Sequence, residues 1–236
     1  MPFIDTTRGT TFPALGADER VTRFLRSVYG WMSVGLAVTA VSAAYIASSP
    51  AILEAIISNR MMFFGLMIAQ LGIVFFLSAR VQHLAPATAA LLFMVYSALT
   101  GVTFAFVLMA YTGESVARTF LMSSCMFGAM AIYGSTTSRS LAGFGQFLFM
   151  GVIGLVLASL VGMFWQSSGL QFGISVIGVL VFTGLAAYDA QRMKAMALAA
   201  PEGQTGSLAV VGALALYLDF INIFLFLLRF TGTRRD

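Results

Sequence analysis

Two aspartates stand inside long apolar runs, where an ionised side chain is costly. Asp189 lies in Ala-Ala-Tyr-Asp-Ala-Gln and Asp219 in Leu-Tyr-Leu-Asp-Phe-Ile-Asn. Asp219 has eleven almost entirely apolar residues on each side. At 1.5 Å per helical residue it sits about 16 Å from either end, near a bilayer midplane. A carboxylate there costs at least ~2.5 kcal/mol on insertion scales, so a partner or a water-filled pocket is expected. The turn between the two runs centres near residues 203 and 204. Reflection about that turn brings Asp189 to the depth of residues 218 and 219 on the neighbouring helix. Equal depth does not by itself turn the side chains toward each other, because rotation about each helix axis is left open.

Two carboxyl groups within hydrogen-bond reach cannot both ionise cheaply, so they share one proton and titrate as a unit. Such a pair is expected to sense protons in the physiological range. When both are ionised they form part of a site for a hard cation such as Ca²⁺, which takes oxygen ligands. Asn222 lies one turn after Asp219 on the same face and adds an oxygen. Two carboxylates and an amide fall short of a full Ca²⁺ shell, so the site expected is weak and transient. No resident cofactor is expected. A blander reading makes the pair a packing device between two helices. Another makes Asp189 an interfacial ion pair with Arg192, one turn later. Arg80 is predicted to end another helix on the same side and is a candidate latch: paired with Asp189 when that carboxyl is ionised, released when it is protonated.

The elements that must position these residues are membrane spans. Of 236 residues 59% are apolar and only 9% charged, against roughly 25% charged in soluble domains. A span needs about 20 apolar residues, and seven runs qualify: about 27–48, 61–79, 84–111, 116–133, 144–165, 170–190 and 208–230. The fold class expected is therefore an all-α integral membrane protein, a bundle of seven transmembrane helices. It reads as a polar N-terminal arm, 1–26, a transmembrane domain, 27–230, and a short basic C-terminal tail, 231–236. An amphipathic connector with Glu54 and Arg60 joins the first two spans, and the sixth continues as a polar helix through Arg192 and Lys194. Gly151 with Gly154, Gly173 with Gly178, and Gly184 with Ala187 supply small residues for close helix contact. Met1 to Ala17 is polar and turn-rich, and Arg20, Arg23 and Arg26 precede the first apolar run, which reads as an uncleaved span.

The basic residues set an orientation. With the N-terminus cytoplasmic, Arg8, Arg20, Arg23, Arg26, Arg80, Arg139, Arg192 and Lys194 lie inside. Arg60, Arg118, Arg229, Arg234 and Arg235 lie outside. A re-entrant last segment would instead return both ends to one side. No run of basic residues forms a nucleic-acid footprint. One cysteine, Cys125, and one histidine, His83, exclude an intramolecular disulfide and a Cys/His zinc cluster.

Around the aspartates the sequence resembles a known family. Tyr188-Asp189-Ala190-Gln191 resembles the Tyr-Asp-x-Gln element of the Bax inhibitor (TMBIM) family. The run from Leu216 to Asn222, continuing through Ile223 to Arg229, is similar to that family's last-helix signature. The hydropathy layout agrees over about residues 20–230. The resemblance implies a seven-helix bundle whose last helix is central, with an Asp pair regulating a pH-sensitive Ca²⁺ leak and Tyr188 and Gln191 in support. It also implies an arginine at the place of Arg80 in the bacterial members that leak, and a bacterial inner-membrane location. Some bacterial relatives bind membrane proteases, so membership leaves function open.

Three functions compete. The first is a proton-gated cation leak whose partners are Ca²⁺, H⁺ and the lipid bilayer. The second is a non-transporting regulator that binds a membrane protease or another integral membrane protein. The third, an intramembrane aspartyl protease, is disfavoured. Leu216-Tyr217-Leu218 stands where those enzymes carry Gly-x-Gly before the second aspartate, and Pro13-Ala14-Leu15 lies in the N-terminal arm rather than after it. With no Ser/His/Asp or Cys/His set in sight, enzymatic activity is not expected.

Overall fold

The computed structural model describes residues 16–165, 167–200 and 205–235. Its regular elements are helices: α1 (Ala17–Ala47), α2 (Pro50–Ser58), α3 (Arg60–Arg80), α4 (Pro86–Ala110), α5 (Gly113–Thr136), α6 (Ala142–Phe164), α7 (Ser168–Ala199) and α8 (Thr205–Thr231), with a 3₁₀ turn at Val81–His83. All but α2 are long and apolar enough to cross a membrane, which gives seven spans. The chain is an all-α integral membrane bundle.

Local chemistry explains the boundaries. Asn59, Thr112 and Ser167 cap α3, α5 and α7, their side-chain oxygens accepting the Met62, Ser115 and Leu170 amides. Pro50 and Pro86 open α2 and α4, where a missing N–H is harmless. The first helix begins at Ala17 rather than near Ser27. Phe24 and Val28 are buried four residues apart, so the same turns aim Arg20, Arg23 and Arg26 outward. Part of the expected N-terminal arm is thus helical, and residues 1–15 lie outside the described residues.

α8 is the axle of the bundle. In its most apolar window 67% of residues are buried, against 6% for α3 at the periphery. It packs against α1, α4, α5 and α7, while α6 leans on α7 and α3 on α4. Leu216, Tyr217 and Ile223 have no exposed surface. A lipid-immersed bundle gains little from hydrophobic burial between helices, so close backbone approach must do the work. A Cβ at Gly134 would overlap the Ala187 carbonyl, and one at Gly178 would meet the Phe226 ring at 2.5–2.6 Å. Gly151 and Gly184 also face tight neighbours, Val181 and Leu148, whereas Gly154 and Gly173 face open space.

α8 crosses the whole bundle. A Cβ on Gly206, near its start, would lie 3.0 Å from Pro86. Past its end the chain is strapped to the α4–α5 corner: the Thr112 amide donates to Thr233 O at 3.1 Å, and the Arg235 amide to Ala110 O at 3.0 Å. The last segment is therefore not re-entrant. The start of α1 and the end of α8 lie on opposite faces, called below the N-face and the C-face.

Candidate functional site

The α7–α8 interface is narrow because small residues line it. Ala186 and Ala190, one turn apart on α7, are fully buried, as is Ala213 on α8. Gly212 lies against Met193 and Val28. This approach brings the Asp189 and Asp219 carboxyl groups within reach of each other, so that they hydrogen-bond when one of them is protonated. A hydrogen bond between two carboxyl groups needs a proton between them.

The two acids differ in surroundings. Asp219 is 4% exposed, and its Oδ2 has no hydrogen-bond partner in the protein. The Asp189 side chain is 13% exposed, and Arg192 Nη1 stands 3.9 Å from its Oδ1. That arginine is mostly exposed, so the pair is a long, solvent-facing one of small energetic weight. Both aspartates line a groove of about 700 Å³, together with Asn222, Tyr188, Gln146 and Arg192.

The other sequence-predicted residues take varied places. Asn222 lines the groove, with its amide donating to Leu218 O at 2.8 Å. Tyr188 also lines it, but its ring lies over Gly145 and wedges α6 against α7. Gln191 turns away from the carboxyls. Its oxygen accepts the Leu141 amide at 2.8 Å and its nitrogen donates to Arg139 O at 2.8 Å, which clamps the α5–α6 loop to α7. Arg80 is exposed at the end of α3 and, among the described residues, forms no ion pair. The arginine beside Asp189 is Arg192, because α3 packs on α4 at the rim. Being on the same helix as Asp189, Arg192 cannot tie two helices together. The link between α7 and α8 is the carboxyl pair itself. Glu114, in the first turn of α5, is ion-paired with Arg118.

Sequence reasoning passed over a second polar cluster on the far side of α8. Thr39 Oγ1 lies 2.6 Å from Tyr217 OH and 2.9 Å from Ser97 O, so Tyr217 donates to Thr39 and Thr39 to the carbonyl. Thr100 also meets the Tyr217 hydroxyl. The signal was a tyrosine two positions before Asp219 in an otherwise apolar helix, with threonines inside two other spans. α8 is thus pinned by polar contacts on two sides, to α7 through Asp219 and to α1 and α4 through Tyr217.

Residues 21–236 match the family model described as inhibitor of apoptosis-promoting Bax1. The chain belongs to this Bax inhibitor family. It is 49% identical to inner membrane protein YbhL of Escherichia coli K12 over 215 residues, 90% of this chain and 92% of that one. It is 44% identical over 216 residues to an uncharacterized protein of Borreliella burgdorferi, covering 91% of this chain and 93% of that one. Uncharacterized protein RP147 of Rickettsia prowazekii is 42% identical over 234 residues, 98% of this chain and 96% of its own. In this Bax inhibitor family chain the described residues contain no group of three or more His, Cys, Asp or Glu placed to hold a metal ion. What the site offers chemically is two carboxyls, able to share a proton, and one amide.

Proposed function

We propose that this protein is a pH-sensitive leak for Ca²⁺ or a similar hard cation, in which the Asp189–Asp219 pair holds either a shared proton or, briefly, the passing ion. The observation that carries this reading is the meeting of two carboxyl groups inside the span, in a groove shared with Asn222. Asp189 and Asp219 would be both proton sensor and weak metal site. The singly protonated pair ties α7 to α8. Loss of that proton puts two like charges in contact and creates a demand for a cation. Two carboxylates and one amide oxygen leave most of a Ca²⁺ shell to water, which suits passage rather than storage. Arg192, beside Asp189, tunes the pair. Tyr188 and Gln191 hold α6 and the α5–α6 loop against α7, and so keep the groove's walls in place.

The location follows the relative named as an inner membrane protein in Escherichia coli, with the N-terminus on the cytoplasmic side, where the basic residues of the N-face collect. The test is Ca²⁺ flux into liposomes holding the purified protein, measured across pH for the wild type and Asp189→Asn. Flux that varies with pH in the wild type and is flat in the variant supports the reading. No flux at any pH overturns it and leaves a non-transporting regulator of a membrane protease or another integral protein.

A further inference from the structure

We infer that the C-face half of the cleft between α6 and α8 is a binding site for an anionic phospholipid, with the phosphate at Arg229 and Arg234 and one acyl chain lying along the cleft toward Asn222. This inference does not rest on the leak, since it invokes neither aspartate, although the inner end of the cleft reaches Asn222.

The cleft has a polar mouth and an apolar shaft. The mouth, about 680 Å³, is lined by Arg229, Arg234, Ser167, Ser168, Gln171 and Ser175. The shaft, about 480 Å³, shares Arg229 and Gln171 with the mouth and continues past Val156, Leu160 and Phe226 to Asn222. Among the described residues neither guanidinium is in an ion pair, although Arg118 on the same face is paired with Glu114. Arg229 lies over the Phe226 ring, 5.9 Å from its centroid, so its charge is held at the top of the shaft. Arg229 and Arg234 both line the mouth and no acid among the described residues does, which favours an anion with two accepting oxygens, such as a phosphodiester. The first turn of α7 adds to the same mouth. The Ser167 side chain takes the Leu170 amide, and Ser168 opens the helix beside the mouth.

Depth makes the anion a lipid rather than free phosphate. Phe164, Trp165 and Phe230 are exposed around the mouth, as aromatic side chains are at the headgroup level. Along α6 the cleft spans Val152 to Met163, about 16 Å of helix rise. Half of a ~30 Å hydrocarbon core is about 15 Å, the reach of one chain from headgroup to midplane. Val156 and Leu160 are each more than half exposed, and an acyl chain would cover them.

Retention of added lipid by the detergent-purified full chain, read by native mass spectrometry, tests the site. Phosphatidylglycerol should be retained at least tenfold over phosphatidylcholine. Arg229→Gln with Arg234→Gln should bring that ratio to about one, while Arg118→Gln leaves it unchanged. Ser159→Trp, which fills the shaft, should lower retention of both lipids with the arginines intact. Inorganic phosphate should not displace the lipid. Equal retention of the two lipids by the wild type would overturn the proposal. So would a preference that survives the double substitution, a ratio that falls equally in Arg118→Gln, or displacement by phosphate alone.

Discussion

Replacing Asp219 by asparagine separates the proton from the shape of the site. Asn is isosteric with Asp and neutral at every pH, and its amide can donate to Asp189 as the shared proton of the proposed pair would. Asp219 is 4% exposed and already leaves Oδ2 without a partner, so the exchange creates little new polar burial. Stability should change by less than about 1.5 kcal/mol, the net worth of one hydrogen bond. Function should change far more. The variant cannot lose a proton at this position, and it offers a passing cation one carboxylate instead of two. A charge-assisted contact is worth about 1.5–3 kcal/mol, so cation occupancy should fall about ten- to one-hundred-fold. Ca²⁺ flux in liposomes should drop to match and lose its pH dependence, while the unfolding temperature in detergent stays within a few degrees. Asp219→Leu provides the contrast: a folded bundle with the α7–α8 polar tie removed, since buried charge is often replaceable by packing. An Asp219→Asn protein with wild-type flux and a wild-type pH profile would remove the pair from the mechanism.

Other substitutions test the scaffold. Gly134→Val should destabilise by about 1–3 kcal/mol, because its Cβ meets the Ala187 backbone, which cannot rotate away; Gly154→Ala, with nothing within 4 Å, should stabilise by about 0.5–1 kcal/mol, both read by thermal unfolding. Tyr217→Phe keeps the packing and loses the hydroxyl contacts to Thr39 and Thr100, costing about 1–3 kcal/mol in the same assay. Arg192→Gln should move the pH midpoint of flux by less than about one unit, because its pair with Asp189 is long and exposed, whereas Arg80→Gln should leave it in place. A shift with Arg80→Gln and none with Arg192→Gln would reverse the assignment made from the structure.

The spans and the depth of each acid could be read from the chain alone, because both are one-dimensional quantities. Apolar run length measures bilayer thickness, and counting residues from a turn measures depth. Hydropathy thus located the seven spans, and counting from a turn expected near 203–204, which lies outside the described residues, put Asp189 and Asp219 on one level. Rotation about each axis is a different matter. It is decided by which small residues let backbones touch, and Gly134, with its contact to Ala187, looks the same in sequence as Gly154, with none. Rotation of α7 turns Asp189 toward Asp219 while sending Gln191, two positions on, to the α5–α6 loop. It is also lateral packing that leaves Arg80 at the rim and Arg192 beside Asp189. The early start of α1 and the strapped C-terminal residues were hidden for the same reason. Arg20, Arg23 and Arg26 look like a loop until Phe24 and Val28 are seen to be buried, and the strap is made of backbone hydrogen bonds, which no side-chain pattern announces. In a membrane the sequence can state how deep a residue lies; which neighbour it meets there is settled only when the helices pack.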